Sequence, residues 1–172
     1  MNPKPQTQNA APTPTAAEWG ERLIRGQITP AQYLGLSQKR LYEIASLGHK
    51  LLTEGRLQAA LDIFKGLVVA SPYDSVFHCN LASTYAQLQR FPEAMEEFTQ
   101  ALQLNVANVD ALVGRSELLL REGKVAEALR DLEAALRLDP DAQLESTQRG
   151  RATLLVLQAM ADEAEKAPGG KP

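Results

Sequence analysis

Small and apolar residues recur through the central part of the chain at a constant interval of 34 positions. The recurring sets are Ala60, Ala94 and Ala128; Phe64, Phe98 and Leu132; and Leu67, Ala101 and Ala135. Around these markers, apolar residues follow the three- and four-residue spacing of one face of an α-helix. The pattern predicts helices at about 38–53, 57–70, 75–87, 91–104, 109–121 and 125–138. It therefore indicates three consecutive copies of one helix pair.

Alanine at the repeated positions indicates how the predicted helices pack. The two antiparallel helices of one copy, and the first helix of the next copy, approach closely only where side chains are small. Each copy then keeps an apolar face that only its neighbour covers. The sequence thus predicts an all-α fold, an α-solenoid of three helix pairs whose first helices line a concave face.

A period of 34 with small residues at positions 8, 20 and 27, and large apolar ones at 4, 7, 11 and 24, resembles the tetratricopeptide repeat (TPR). Counted from Leu41, the repeats occupy 41–74, 75–108 and 109–142, within a repeat domain of 37–142. The resemblance implies three TPR helix pairs.

Four residues depart from the repeat pattern without breaking its register, and one of them is Val106 at the position of a usual Pro. His78 stands at a position that is usually large and aromatic, and Arg115 replaces a usual Leu. Gln89 occupies the turn position where Gly55 and Gly123 stand in the other repeats. We expect His78 to be a partly buried polar side chain within the helix packing.

The segments on either side of the repeats differ in composition. Residues 1–16 are rich in Pro and polar residues and predict a disordered arm. Residues 17–36 predict one or two short helices, with a start at Thr29-Pro30. Residues 143–166 predict a C-terminal capping helix, and 167–172 a flexible tail. The capping helix is expected to shield the last repeat with Leu154, Leu155 and Leu157 or their neighbours.

Composition narrows the function classes. A net charge of −3, without a basic cluster interleaved with aromatics, argues against nucleic acid as a partner. No apolar run is long enough to span a bilayer, and the N-terminus has no apolar signal-peptide core, so no membrane partner is expected. A single cysteine excludes an intrachain disulfide framework. These features predict a soluble cytoplasmic protein.

Residues able to carry catalysis are sparse. His49 and His78 lie on the first helices of successive repeats, and neither has metal-ligand spacing to Cys79. Neither histidine has a candidate nucleophile or a carboxylate pair at a telling spacing. Cys79 lacks a basic neighbour at helical spacing that would lower the pKa of its thiol. We therefore expect a protein that is not an enzyme and that holds no metal or cofactor.

The concave face is the expected binding site. Positions 2, 5, 9 and 12 of each first helix share one stripe opposite the packing positions. The predicted groove residues are Tyr42, Ala45, His49, Leu52, Val76, Cys79, Ser83, Val113 and Glu117, with Ala86, Asp110 and Leu120 on the same stripe. This mainly apolar set favours an extended or helical peptide held by apolar anchors. The alternative is that some of these residues only face solvent.

Repeat proteins that hold the carboxylate tail of heat-shock chaperones resemble one another in a clamp of Lys, Asn, Asn, Lys and Arg. The corresponding positions here are Ala45, His49, Asn80, Asp110 and Gly114. Only Asn80 keeps the clamp residue, and the carboxylate of Asp110 repels an acidic tail where a cation is needed. The sequence argues against a co-chaperone of that type.

Three repeats with an extra N-terminal helical segment and a C-terminal helix resemble the class II chaperones of bacterial type III secretion, the SycD/LcrH family. The resemblance covers roughly residues 17–160. It is carried by the lead-in GQITPAQYLGLSQKRLY, Gly55, Ala60, the element Ile63-Phe64-x-x-Leu67, the pair Tyr73-Asp74, and Glu117. The chain departs from the family where Ala45, His49 and Leu52 replace groove aromatics, and in the junction from Asn105 to Val109.

The resemblance implies a cytoplasmic chaperone that keeps a hydrophobic translocator soluble before export by binding one of its segments in the groove. Such chaperones often pair through their N-terminal helices, which here implies a homodimer with Trp19, Leu23 and Ile24 as the self-association surface. The alternative is a TPR scaffold or assembly factor of a pilus, motility or envelope machine. The lead-in and the Tyr73-Asp74 pair favour the chaperone.

Overall fold

This computed structural model describes residues 15–166 of the chain. These residues form nine α-helices joined by turns and contain no β-strand. Side chains are described for residues 15–163. The expected arm up to residue 14 and the expected tail at 167–172 lie outside the described residues. The helices are α1 (Ala16–Ile24), α2 (Pro30–Tyr33), α3 (Gln38–Thr53), α4 (Leu57–Ala70), α5 (Ser75–Gln87), α6 (Phe91–Leu104), α7 (Val109–Arg121), α8 (Val125–Leu138) and α9 (Glu145–Lys166).

Helices α3 to α8 form three packed pairs, and each of the six begins and ends where the sequence predicts. Neighbouring pairs are joined because α4 packs on α5 and α6 packs on α7. Ala60, Ala94 and Ala128 are completely buried, with 0% of their surface exposed. The small side chains therefore serve the close approach that the repeat pattern predicts.

Each first helix of a pair starts at a side-chain N-cap, which satisfies a backbone N–H that has no partner inside the helix. The three N-caps are Ser37, Asp74 and Asn108. The turns inside the pairs need a left-handed residue, which Gly55 and Gly123 supply with φ of 73° and 74°. Gln89 adopts the same conformation, with φ of 59°, although its Cβ makes that conformation less favourable.

The polar departures at His78 and Arg115 are paired with carboxylates of the following helix. Nδ1 of His78 lies 2.6 Å from Oε2 of Glu97, and its Nε2 lies 3.0 Å from the carbonyl oxygen of Pro72. Arg115 donates two hydrogen bonds to Asp131, from Nε at 2.7 Å and from Nη2 at 2.8 Å. His78 and Asp131 are buried, so these pairs belong to the helix packing.

Helix α9 takes the place of the first helix of a fourth repeat. It packs on α7 and α8 through its first turns, where Ser146, Thr147 and Gly150 are buried. A Cβ at Gly150 would lie 3.1 Å from Leu132 and 3.3 Å from Val113, so the helices meet closely there. The expected shielding by the leucines at 154, 155 and 157 is not the main contact, because these residues lie beyond the buried turns.

The segment before the repeats forms two short helices. Helix α1 begins at Ala16 with Thr15 as its N-cap, so Ala16 is helical and Thr15 caps the helix, whereas composition predicts both as part of the disordered arm. Thr29 caps α2 and Pro30 is its first residue, as expected. Ala31 is buried in the core, whereas α1 contains no buried residue. No helix within residues 15–166 is long and apolar enough to cross a membrane.

Candidate functional site

A concavity of about 590 Å³ opens on the inner face of the repeats. It is lined from α3, α5, α7 and the start of α9, and the almost fully buried Phe98 of α6 also borders it. The lining residues are His49, Leu52, Thr53, Cys79, Asn80, Ser83, Ala86, Gln87, Phe98, Asp110, Gly114, Glu117, Glu145 and Arg149. We refer to this surface as the groove.

Five of the nine predicted groove residues lie together on this surface: His49, Leu52, Cys79, Ser83 and Glu117. Ala86 and Asp110, which belong to the same predicted stripe, also line it. Position 9 lines the groove in every repeat, through His49, Ser83 and Glu117. The stripe is thus a useful guide to the site at the middle of each first helix.

Tyr42 and Val76 lie outside the groove lining, although each is 40% exposed. The hydroxyl of Tyr42 lies 3.3 Å from Oδ2 of Asp74, and its ring centroid is 5.2 Å from that of Phe77. Asp74 also accepts a hydrogen bond from Gln38 and caps α5. Tyr42 therefore helps to join α3 to α5 and is not free to act as an anchor in the groove.

Ala45 and Val113 are core residues rather than groove residues, so the prediction of a lining role for them is wrong. Ala45 is 3% exposed and Val113 is 0% exposed. Val113 is covered by α9, where a Cβ at Gly150 would lie 3.3 Å from the Val113 side chain. Leu120, from the wider stripe, does not line the groove either.

Seven lining residues lie outside the predicted stripe, although the sequence comparison with the carboxylate clamp had already considered Asn80 and Gly114. Asn80 and Gly114 occupy position 6, while Thr53 and Gln87 occupy position 13, one step around the helix from the predicted stripe. A wider stripe would have included these four. The others are Phe98 from a second helix and Glu145 and Arg149 from α9. No repeat rule places α9 in the groove, because α9 lies outside the three repeats.

The charges on the lining make the groove more polar than predicted. Asp110, Glu117 and Glu145 bring three carboxylates, and Arg149 brings one cation. Nε of Arg149 lies 3.4 Å from Oε1 of Glu117, and both side chains are about half exposed, so this ion pair is weak. Asp110 and Glu145 form no ion pair within the described part of the chain. The groove therefore carries a net negative charge.

His49, Cys79 and Asn80 form the wall beside Asp110. Partial burial lowers the pKa of His49, against an opposing effect of Asp110, so its imidazole is neutral at pH 7. Burial raises the pKa of the Cys79 thiol to about 12, so no reactive thiolate forms. Nδ2 of Asn80 is buried and has no hydrogen-bond partner among residues 15–163. Within those residues, no three His, Cys, Asp or Glu side chains are grouped as ligands for a metal ion.

The residues predicted for self-association lie on α1, away from the groove. Ile24 is 87% exposed, whereas Trp19 and Leu23 are partly buried. Trp19 borders a shallow cavity of about 430 Å³ together with Tyr33 of α2, and the guanidinium of Arg22 lies 4.9 Å from its ring centroid. The self-association surface stays a prediction.

Known proteins resemble this chain in sequence and in fold. A family model described as tetratricopeptide repeat matches residues 79–143. The type III secretion translocator chaperone SycD of Yersinia enterocolitica superposes with a TM-score of 0.67 at 23% identity, over 75% of this chain and 98% of SycD. SycD in complex with a peptide of the translocator YopD gives a TM-score of 0.63, at 23% identity over 73% and 97% of the two chains. At these identities the likeness concerns the fold.

Similarity also extends to TPR modules of other proteins. The first TPR of Spaghetti (RPAP3), bound to the HSP90 peptide SRMEEVD, superposes with a TM-score of 0.61 at 28% identity, over 73% of this chain and 96% of that module. Human RNA polymerase II-associated protein 3 is 30% identical over 132 residues, which are 77% of this chain and 19% of that protein. The chain spans about a fifth of the length of the first curated relatives it matches. The stacked helix pairs, the matched segment and these structural relatives together show that the chain has the tetratricopeptide repeat fold, an all-α solenoid of helix pairs.

Proposed function

We propose that this chain is a non-catalytic protein-binding module that acts as a cytoplasmic chaperone for a hydrophobic type III secretion translocator. One segment of the translocator binds in the groove, and the complex keeps the translocator soluble before export. An exposed apolar segment promotes aggregation, and covering it in a preformed groove removes that surface from solvent without chemistry. This role requires no metal, cofactor or nucleophile.

The observation that carries the proposal is the groove itself, formed by the first helices of all three repeats and by α9. The fold that forms it is shared with SycD, which has been crystallised with a peptide of a translocator. Leu52 and Ala86 give the groove apolar contact area, and Asn80, Ser83 and Gln87 give it hydrogen-bonding groups. Such a mixture suits a polypeptide segment better than a small apolar ligand.

Overlapping peptides from a translocator of the source organism, a protein with two apolar spanning segments, test the proposal by fluorescence anisotropy. Ser83→Trp fills the groove with an indole and is expected to abolish binding of the segment that the native chain binds. Gln103→Trp, on the exposed face of α6, introduces the same side chain elsewhere and is expected to leave binding unchanged. Failure of every peptide to bind the native chain, or equal binding by both variants, refutes groove binding.

A scaffold of a pilus, motility or envelope machine is the second candidate, and exposed apolar side chains at both ends of the solenoid favour it. Ile24 and Leu34 are 87% and 68% exposed at the N-terminal end, and Leu155 is 65% exposed at the C-terminal end. Surfaces of this kind mark protein contacts. Co-purification from native cells separates the two functions, because a scaffold retains its partners in the Ser83→Trp variant and a groove-binding chaperone loses its client.

A further inference from the structure

The acidic lining indicates which segments the groove selects. Resting on the proposed function, we propose that the groove prefers a polypeptide segment with a Lys or Arg side chain placed against Asp110, and that it rejects acidic segments. The preference distinguishes this chain from the RPAP3 module whose bound peptide is SRMEEVD, a peptide that ends in acidic residues. The groove would thus select a segment by its charge as well as by its apolar side chains. We refer to this selection by charge as the charge rule.

The proposed preference depends mainly on the carboxylate of Asp110. It is exposed in the first turn of α7 and lines the groove together with His49 of α3 and Cys79 of α5. Burial is the main cause of the pKa shift of each of these two groups, and the charge of Asp110 opposes the lowering of the pKa of His49 and adds to the raising of the pKa of Cys79. Its carboxylate therefore faces the hollow between three first helices. No Lys or Arg among residues 15–163 forms an ion pair with it. A cation of a bound segment would be its first close counter-charge.

The rest of the lining does not offset this charge. Arg149 is already beside Glu117, and the neutral imidazole of His49 adds no cation at pH 7. Glu145, at the first residue of α9, adds another exposed carboxylate without an ion-pair partner in the described residues. An acidic segment would thus meet two unpaired like charges, whereas a basic one would meet two opposite charges.

The side chain of Asn80, on the same wall of the groove, is an independent indication of a ligand. Nδ2 of Asn80 is buried without an acceptor among the described residues, and a buried donor left in this state is unfavourable. Asn80 lines the groove, so a rotation of its amide would turn the donor toward a carbonyl of a bound segment. The amide would hold the main chain while Asp110 selects the neighbouring side chain.

The test uses the translocator peptide that binds most tightly, in three versions with Lys, Gln or Glu at one central position. Each charge contact at an exposed site changes affinity by a few fold, and attraction and repulsion add between the Lys and Glu versions. We expect the Lys version to bind at least about tenfold more tightly than the Glu version, and the Gln version to fall between them. Raising the salt concentration should narrow the difference.

Asp110→Asn is the diagnostic variant, since it removes the charge and keeps the size of the side chain. It should reduce the Lys-to-Glu ratio of affinities by several fold, with the Lys version losing affinity and the Glu version gaining it relative to the Gln version. Asp62→Asn, the same change at an exposed residue of α4, is the matched control and should preserve the ratio. Far-UV circular dichroism confirms that both variants are folded.

The outcomes separate this inference from the function on which it rests. Equal binding of the three versions to the native chain overturns the charge rule and leaves groove binding in place. A ratio that survives in Asp110→Asn assigns selection to other charges and also overturns it. Absence of binding by every peptide overturns the proposed function and the charge rule together. A ratio lost in Asp110→Asn and kept in Asp62→Asn supports the proposal.

Discussion

Gly114 of α7 lies directly against the ring of Phe98 of α6. A Cβ at residue 114 would stand 2.6 Å from Cε1 and 2.9 Å from Cε2 of that ring, closer than van der Waals contact allows. Gly48 and Phe64 make a similar contact, although within one repeat rather than between two, and a Cβ at residue 48 would stand 2.6 Å from the Cζ atom of Phe64. A missing side chain on a first helix thus makes room for an aromatic ring on a second helix.

Gly114→Ala is expected to lower the free energy of unfolding by about 1–2 kcal/mol, because overpacking outweighs the gain in helix propensity. Gly66 provides the matched control, since it lies in α4 with nothing within 4 Å of a Cβ. Gly66→Ala should therefore raise the free energy of unfolding by up to about 1 kcal/mol. Urea denaturation followed by circular dichroism measures both, and a shift of the same sign in the two variants would contradict the packing argument.

Arg115 and Asp131 form a two-hydrogen-bond ion pair between α7 and α8. Arg115→Ala leaves the buried carboxylate of Asp131 without its partner and should cost about 2–4 kcal/mol of unfolding free energy, less than a fully buried pair because the arginine is partly exposed. The same positions of the first repeat hold Leu47 and Ile63. The double variant Arg115→Leu, Asp131→Ile should therefore recover most of the loss.

A double-mutant cycle in urea measures this coupling. The two single changes, Arg115→Leu and Asp131→Ile, should each destabilise the protein more than the double change does, because each leaves one charge unpaired. Additive effects of the two single changes would show that the pair contributes no coupling energy.

The pair of His78 and Glu97 makes stability depend on pH. The hydrogen bond to Glu97 is the largest cause that raises the pKa of His78 above its unfolded value of about 6.5. Because the folded pKa is the higher one, the stabilisation is complete below about pH 6.5 and is lost as pH rises through the folded pKa. Glu97→Gln should therefore be more destabilising at pH 5.5 than at pH 8.5.

Thermal unfolding of the native chain and Glu97→Gln across this pH range tests the sign of the effect. Glu96→Gln, at the exposed neighbour on α6, is the matched control and should follow the native pH profile. A constant difference between the native chain and Glu97→Gln would exclude a contribution from His78 protonation.

The repeat register could be read from the sequence because the packing positions depend on side-chain size. Ala60, Ala94 and Ala128 are needed wherever helices cross closely, so their spacing carries the fold. The ion pairs were not predicted. His78 and Arg115 read as isolated departures, although each finds a carboxylate at position 23 of its own repeat, Glu97 and Asp131. Predicting these ion pairs requires comparing residues on the two facing helices of one repeat. A comparison of single positions with the repeat pattern does not reveal them.

The groove was predicted only in part, for a physical reason that Val113 illustrates. Exposure of a first-helix residue depends on which helix packs next to it in the stack, and here α9 covers Val113 through Gly150. Val113→Glu therefore tests the core and not the groove, because it would place a charge where no solvent reaches. Glu145 and Arg149 enter the groove for the same reason, since α9 closes its far side.

Cys79 offers a test of how closed the groove wall is. Its side chain is 5% exposed, and burial raises the pKa of the thiol to about 12, so the reactive thiolate is scarce at pH 8. We expect Ellman's reagent to modify the native chain at least about a hundredfold more slowly than the urea-unfolded chain. Leu52→Ala shortens a groove-lining side chain of α3 and should leave this protection largely intact, because burial of Cys79 within α5 and its neighbours causes the protection. Rapid labelling of the native chain at pH 8 would show that α5 moves away from its neighbours, and the wall of the groove would then form only around a bound segment.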